Sequence, residues 1–221
     1  VTLTAQHAAR LERCLAGDGV AVIPTDTVYG LACSPQSESA MRRIYELKRR
    51  PALKPSAVMF FSAAAALESL TELGPRTRAA LDALLPGPVT LLLANPERRF
   101  PLACSPPAES DPATAASPGL LGLRAPLLHG SLAALAAVTV PAAQSSANLS
   151  GGPDPRRLSE VPIELREGAD LVLDGGELPG SASTVIDLSR YELSGDWRIV
   201  REGPLGRPSL ERLLGPLSGG R

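Results

Sequence analysis

An α+β fold, with helices layered on a mixed β-sheet, is what this sequence predicts. Helix-like and strand-like segments alternate through the first half of the chain, and strand-like segments cluster late. Apolar residues make up 44% of the chain but aromatic residues only 3%, so the core must be built from Leu, Val, Ile and Ala. No Pro-, Gly- or charge-rich stretch divides the 221 residues cleanly, so residues 1–221 read as one domain.

The elements follow in order. Residues 4–17 form a helix, with Ala8, Leu11, Cys14 and Leu15 on one face and Gly17 and Gly19 ending it. Residues 20–23 form a short strand, and residues 28–33 are its continuation or its partner. In "PQSESAMRRIYELKRRP" Ala40, Met41, Ile44 and Leu47 share a helical face, and Pro51 ends the helix near residues 48–50. "SAVMFF" is a strand, "AAAALESL" and "PRTRAALDALL" are helices, and "GPVTLLLA" is a strand. Residues 100–118, rich in Pro, Ala and Ser without period, read as a long surface loop. "LLGLRAP" is a strand, "HGSLAALAAV" a helix and "TVPAAQ" a strand, followed by the polar loop "SSANLSGGPDP". "EVPIELREG" is helical, and "ADLVLDGG", "STVIDLS" and "WRIVREG" are late strands. "PSLERLLGPLSGGR" is a short helix with a frayed end.

Composition excludes several classes. The net charge of −1 argues against a dedicated electrostatic nucleic-acid module, so any affinity for anions must come from local clusters. The cysteines Cys14, Cys33 and Cys104 are far apart, and His7 and His129 are the only histidines. That spacing suits neither a zinc site nor a disulfide framework, and it fits a reducing compartment. No window has the 18 or more apolar residues of a membrane span, and the N-terminal segment reads as an amphipathic helix. A soluble, cytoplasmic protein is expected, without a membrane partner.

Six stretches could carry chemistry. "PTDTVYG" sets three hydroxyl or carboxylate residues between two apolar runs, where the bland alternative is a Ser/Thr or Asx turn. "KRRPALK" holds Lys48, Arg49, Arg50 and Lys54. A helix C-terminus attracts one or two cations, but a phosphate or carboxylate site explains the whole cluster better. "SSANLSGGP" is either a surface turn or a hydroxyl-rich ligand loop, and it is neither a Walker loop nor a nucleophile elbow. Arg124 in "GLRAP" sits in an apolar strand and needs a carboxylate partner, from the protein or from a ligand. "SASTVID" and "WRIVREG", with Arg201, are weak alone. This inventory has cations, hydroxyls and an amide but no Cys–His pair or metal-binding His cluster. It suits reactions run by proximity and charge neutralisation, of which nucleotidyl transfer from ATP is one.

Taken in order, "PTDTVYGL", "KRRP", "PGPVT", "LRAP", "SSANLSG", "STVID" and "IVREG" resemble the YrdC-like family over residues 10–214. The family's Lys-x-Arg and Ser-x-Asn signature stands here as Lys48-Arg49-Arg50 and Ser146-Ala147-Asn148. The resemblance implies a three-layer domain with a twisted mixed sheet and a concave, positively charged face, in a short, single-domain form. It implies synthesis of threonylcarbamoyl-AMP from L-threonine, bicarbonate and ATP with Mg²⁺, releasing pyrophosphate. A partner complex would then carry the threonylcarbamoyl group to N6 of adenosine 37 in tRNA. Carried onto this chain, Thr27, Arg124 and Ser183 would bind threonine. Lys48 and Arg50 would act in catalysis, and Arg50, Lys54, Ser146, Asn148, Arg156 and Arg201 would hold the nucleotide. Thr25 and Asp26 would hold the turn, and Tyr29 and Gly30 would shape the floor. Met59 stands about where many relatives carry a His near threonine, and the Pro/Ala/Ser-rich stretch at 104–118 is longer than usual. Two other readings remain: an O-carbamoyltransferase-type enzyme working through carbamoyl-adenylate, and a non-catalytic relative binding double-stranded RNA or tRNA.

Overall fold

The computed structural model describes residues 1–49, 55–104 and 119–215. Within them, nine strands form one mixed sheet in the order β7-β1-β2-β6-β3-β5-β4-β8-β9. The strands are β1 (Ala21–Ile23), β2 (Gly30–Cys33), β3 (Ala57–Met59), β4 (Val89–Leu93), β5 (Leu121–Arg124), β6 (Ala142–Ser146), β7 (Leu171–Val172), β8 (Thr184–Asp187) and β9 (Arg198–Arg201). The pairs β1–β7, β3–β5 and β4–β8 are parallel and the others antiparallel. Residues 28–33 thus hold the antiparallel partner of β1, not its continuation, because the intervening residues make a tight turn.

Local chemistry accounts for the helices. In α1 (Ala5–Ala16) the face carrying Ala8, Leu11 and Leu15 is buried, and the Gly17 N–H closes the helix on the Arg13 carbonyl. In α2 (Glu38–Leu47) the Ser37 hydroxyl accepts from the Ala40 N–H at 3.2 Å and caps the helix. α3 (Ala63–Ser69) is capped the same way by Ser62, and α4 (Pro75–Leu84) opens with proline in its first turn. Residues 129–138 were expected to be α-helical but contain a 3-10 helix, Gly130–Ala137. Its buried residues are spaced by three, Leu132, Leu135 and then Val138, which matches three residues per turn. Three more helices follow: α5 (Ile163–Glu167), α6 (Tyr191–Ser194) and α7 (Arg207–Leu214). The four-residue α6 and a 3-10 turn, Leu158–Glu160, had no sequence signal.

Sheet register divides the protein into a core face and a site face, because paired residues share a face and neighbours along a strand alternate. Leu31, Cys33, Ala143, Val58, Leu123, Leu91 and Ile186 lie on the core face and are essentially inaccessible. The opposite face carries Gly30, Ala32, Ser146, Gln144, Ala57, Gly122, Arg124, Thr90 and Val185. Most of these are small, so this face has room for a ligand beside Arg124, Gln144 and Thr90, and Met59 and Leu92 share the face by register. β6 begins at Ala142, after Pro141, and continues through both serines, later than the expected end at Gln144. The serines pair with Gly30 and Leu31 of β2, which draws "SS" into the sheet.

Leu91 sits in the middle of β4 between Leu123 and Ile186. We expect Leu91→Ala to cost about 2–5 kcal/mol in urea unfolding. Val200→Ala, on the exposed edge strand β9, should change stability by less than about 0.5 kcal/mol.

Candidate substrate cavity

The Thr25–Asp26–Thr27 turn between β1 and β2 is wired internally. The Thr25 hydroxyl donates to the Val28 carbonyl at 2.8 Å and accepts from the N–H groups of Thr27 and Val28. A hydroxyl has one proton, so the 3.0 Å contact between Thr25 Oγ1 and Thr27 Oγ1 must be donated by Thr27. Arg124 Nη2 in turn donates to Thr27 Oγ1 at 3.1 Å. The proton order runs from Arg124 to Thr27 to Thr25 to the Val28 carbonyl. Thr27 therefore offers a ligand only an acceptor lone pair.

Arg124, at the end of β5, is almost completely buried. Its Nη2 also donates to Asp26 Oδ1 at 2.9 Å, and its Nη1 donates to Gln144 Oε1 at 3.0 Å. The carboxylate partner that the sequence demanded is thus Asp26, whose other oxygen accepts from the Leu127 N–H. Burial pushes the Asp26 carboxyl up, and the pull of Arg124 does not fully offset it. Burial likewise draws the Arg124 guanidinium down; Asp26 opposes this, and the like charge of Arg201 adds to it. Both shifts run in the direction of desolvation, so the pair orients Arg124 more than it stabilises the fold.

Arg201, on β9, reaches the same cavity. It donates to the Ser183 carbonyl (2.9 Å) and to Ser183 Oγ (3.2 Å), and Ser183 Oγ meets Thr90 Oγ1 at 2.8 Å. This contact needs a close approach of the chain after β9: a Cβ at Gly203 would overlap the backbone of residues 182–184. The resulting cavity is about 180 Å³. Thr27, Arg124, Ser183, Arg201 and Ser146 line it, together with Thr90, Gln144 and Asp154.

Lys48 and Asn148 lie behind this wall. The Lys48 ammonium is buried and donates to the carbonyls of Ser146 and Asn148 and to Asn148 Oδ1. The Asn148 amide donates to the Gly152 carbonyl at 2.6 Å and to Asp154 Oδ1 at 3.3 Å. Both residues build the 145–152 loop, and neither is among the described residues lining the cavity. Arg156 is also off the lining, on the surface, where it pairs with Glu177. Arg50, Lys54 and the stretch at 105–118 lie outside the described residues, although Pro55, next in sequence to Lys54, lines the cavity. Tyr29, expected on the floor, turns away: its hydroxyl donates toward Asp174 and Gly176 and accepts from the Gly175 N–H. Met59 is buried beside Arg124 in the sheet register but does not line the cavity.

Sequence reasoning gave Asp26 only the turn, and it missed Thr90, Gln144 and Asp154. Gln144 carried a usable signal, since a long amide in the otherwise apolar "PAAQ" is as anomalous as Arg124 in "GLRAP". No Cys or His lines the cavity among the described residues. The thiols are no better placed elsewhere: burial pushes Cys33 up to about 12 and raises Cys14 and Cys104.

A profile of the Sua5_yciO_yrdC family, described as "Telomere recombination", matches residues 13–203. The chain belongs to the Sua5/YciO/YrdC family. It is 30% identical to the threonylcarbamoyl-AMP synthase of Bacillus subtilis over 90% of this chain and 54% of that one. It is 34% identical to the human threonylcarbamoyl-AMP synthase over 86% of this chain and 64% of that one. The chain thus spans between half and two thirds of the length of these relatives. Its fold matches Sua5 of P. abyssi complexed with L-threonine at a TM-score of 0.75 and 27% identity, covering 98% of this chain and 60% of that one. It matches YciO of E. coli at a TM-score of 0.68 and 23% identity, covering 90% of each, which supports the fold. The expected mixed-sheet, YrdC-like architecture is therefore the one this family member has. No helix among its described residues is long and apolar enough to cross a membrane.

The Asp26 shift gives a test with a definite sign. A carboxyl whose folded pKa lies above its unfolded value makes the fold less stable once ionised. Asp26→Asn leaves the buried Arg124 guanidinium without its carboxylate and should lower the urea midpoint at pH 7. The pH dependence carries the sign of the shift: relative to Asp26→Asn, the wild type should gain stability as the pH falls from 7 and its Asp26 carboxyl protonates. A wild type that loses stability relative to the variant over that fall would show that the folded pKa is lowered instead.

Proposed function

We propose that this chain makes threonylcarbamoyl-AMP from L-threonine, bicarbonate and ATP, releasing pyrophosphate. The observation that carries the reading is the buried Arg124, set in a cavity of amino-acid size beside a hydroxyl that can only accept. A small α-amino acid complements both groups, with its carboxylate toward Arg124 and its amine N–H toward Thr27 Oγ1. Ser183 and Thr90 complete the pocket wall. The relatives named threonylcarbamoyl-AMP synthase and the threonine-bound Sua5 favour threonine as that amino acid.

In this reading the threonine amine takes up bicarbonate, losing water, to give a carbamate. A carbamate oxygen then bonds to the α-phosphorus of ATP, and the bond to the β-phosphate oxygen breaks with its electrons leaving on pyrophosphate. The obstacle is the approach of two anions. Arg124 and Arg201 face one cavity and lower that repulsion without an enzyme nucleophile. Ser146, the loop held by Lys48 and Asn148, Arg156, and in sequence Arg50 and Lys54 form the nucleotide side.

Mg²⁺ enters as part of magnesium–ATP. Among the described residues no group of three or more His, Cys, Asp or Glu could cage a metal ion. Asp154 is the carboxylate that lines the cavity, and this donor set fits a cation held chiefly by phosphates. The product would pass to a threonylcarbamoyl-transferring complex for N6-threonylcarbamoyladenosine at tRNA position 37, and we place this work in the cytoplasm.

The deciding assay incubates the protein with ATP, Mg²⁺, bicarbonate and L-threonine and measures pyrophosphate. Release should depend on threonine; release that ignores threonine but responds to carbamoyl phosphate would overturn the reading. Arg124→Lys keeps a cation but loses the planar fork. It should raise KM for threonine roughly 10–100-fold while KM for ATP stays within about twofold.

A further inference from the structure

We propose that Gln144 is a specificity-determining contact of the cavity, donating from Nε2 to the carboxylate of the amino-acid substrate. The inference rests on the amino-acid reading of the cavity given above. Gln144 lies on the site face of β6, is only 4% exposed, and lines the cavity.

Its orientation follows from donor and acceptor chemistry. Arg124 Nη1 meets the Gln144 side-chain amide at 3.0 Å, and a guanidinium can only donate. The amide must therefore present Oε1 to Arg124, which turns Nε2 and its two N–H groups away. No described residue accepts from Nε2. Gln144 lines the cavity wall, so an amide donor left over there marks a place where a ligand supplies the oxygen.

The backbone makes room for this arrangement. A Cβ at Gly30 would overlap Gln144 Nε2, so the glycine of "PTDTVYG" leaves space for the amide to lie against β2. Ala57, paired with Gln144 on the other side, is equally small. Unmatched N–H donors beside two guanidiniums select an oxyanion, and a cavity of about 180 Å³ selects a small one. A carboxylate meets both conditions.

Two substitutions separate the donor from the side chain that carries it. Gln144→Glu keeps the acceptor for Arg124 but replaces the Nε2 donor with oxygen. Gln144→Met keeps the length and removes both polar ends. Calorimetric titration with L-threonine and with L-threoninamide, which lacks the carboxylate, should show threonine binding weakened roughly 10–100-fold in both variants, with binding of the amide changed less than about threefold. KM for ATP should stay within about twofold, and thermal unfolding should confirm that both variants fold. Threonine affinity within twofold of wild type in both folded variants would overturn the proposal, as would equal weakening toward threonine and ATP. Wild-type protein that binds threonine without releasing pyrophosphate would sink the proposed reaction and leave the role of Gln144 intact. Wild-type protein that binds no amino acid would overturn both.

Discussion

The site depends on one guanidinium held inside a β-sheet. Arg124 ends β5, an interior strand of the sheet, where an apolar side chain would pack at less cost. Its charge is tolerated because the chain surrounds it with oxygens: Asp26, Thr27 and Gln144 all accept from it. The three acceptors come from the turn after β1 and from β6, so the sheet must close in this strand order before Arg124 is satisfied. The shifts of Asp26 and Arg124 both point toward desolvation, so burial costs more than pairing returns. Such an arrangement gives direction: the guanidinium is fixed before any ligand arrives.

A second buried cation does different work. Lys48, at the C-terminal cap of α2, donates into the Ser146–Asn148 turn, and the Ser150 N–H donates back to the Lys48 carbonyl at 3.0 Å. This ties a helix end to the loop that follows β6. Lys48 thus fixes the backbone carbonyls of Ser146 and Asn148 and the Asn148 side chain without lining the cavity itself. Asn148 extends the same support to Asp154 on the cavity wall.

The sequence made the fold legible where periodicity was long and capped. α1, α2 and α4 were readable from their apolar faces, and β4, β5 and β8 from short apolar runs bounded by Gly, Pro or Ser. It was less legible where tertiary pairing overrode local preference: Ser145 and Ser146 read as loop but pair with β2. The cavity was legible through anomalies. Arg124 in an apolar strand announced itself, whereas Asp26 looked like an ordinary turn residue because its partner lies 98 residues away. Tyr29 misled because its position beside Gly30 suggested a shared role, yet neighbouring strand residues face opposite ways. Gly30 does bear on the cavity, by having no side chain there.

The proton order in the turn links these points to chemistry. Thr25 spends its hydroxyl proton on the Val28 carbonyl, which obliges Thr27 to spend its own on Thr25. Thr27 is thereby left with a lone pair, and Arg124 takes a share of its acceptor capacity. Gln144 is fixed in the opposite sense, with its acceptor committed to Arg124 and its donors left over. One side of the cavity therefore accepts and the other donates, as an amino acid with an amine and a carboxylate requires. This polarity is set by the Val28 carbonyl and the Arg124 guanidinium. What these residues supply is a fixed direction and a local positive charge, both in place before any ligand arrives.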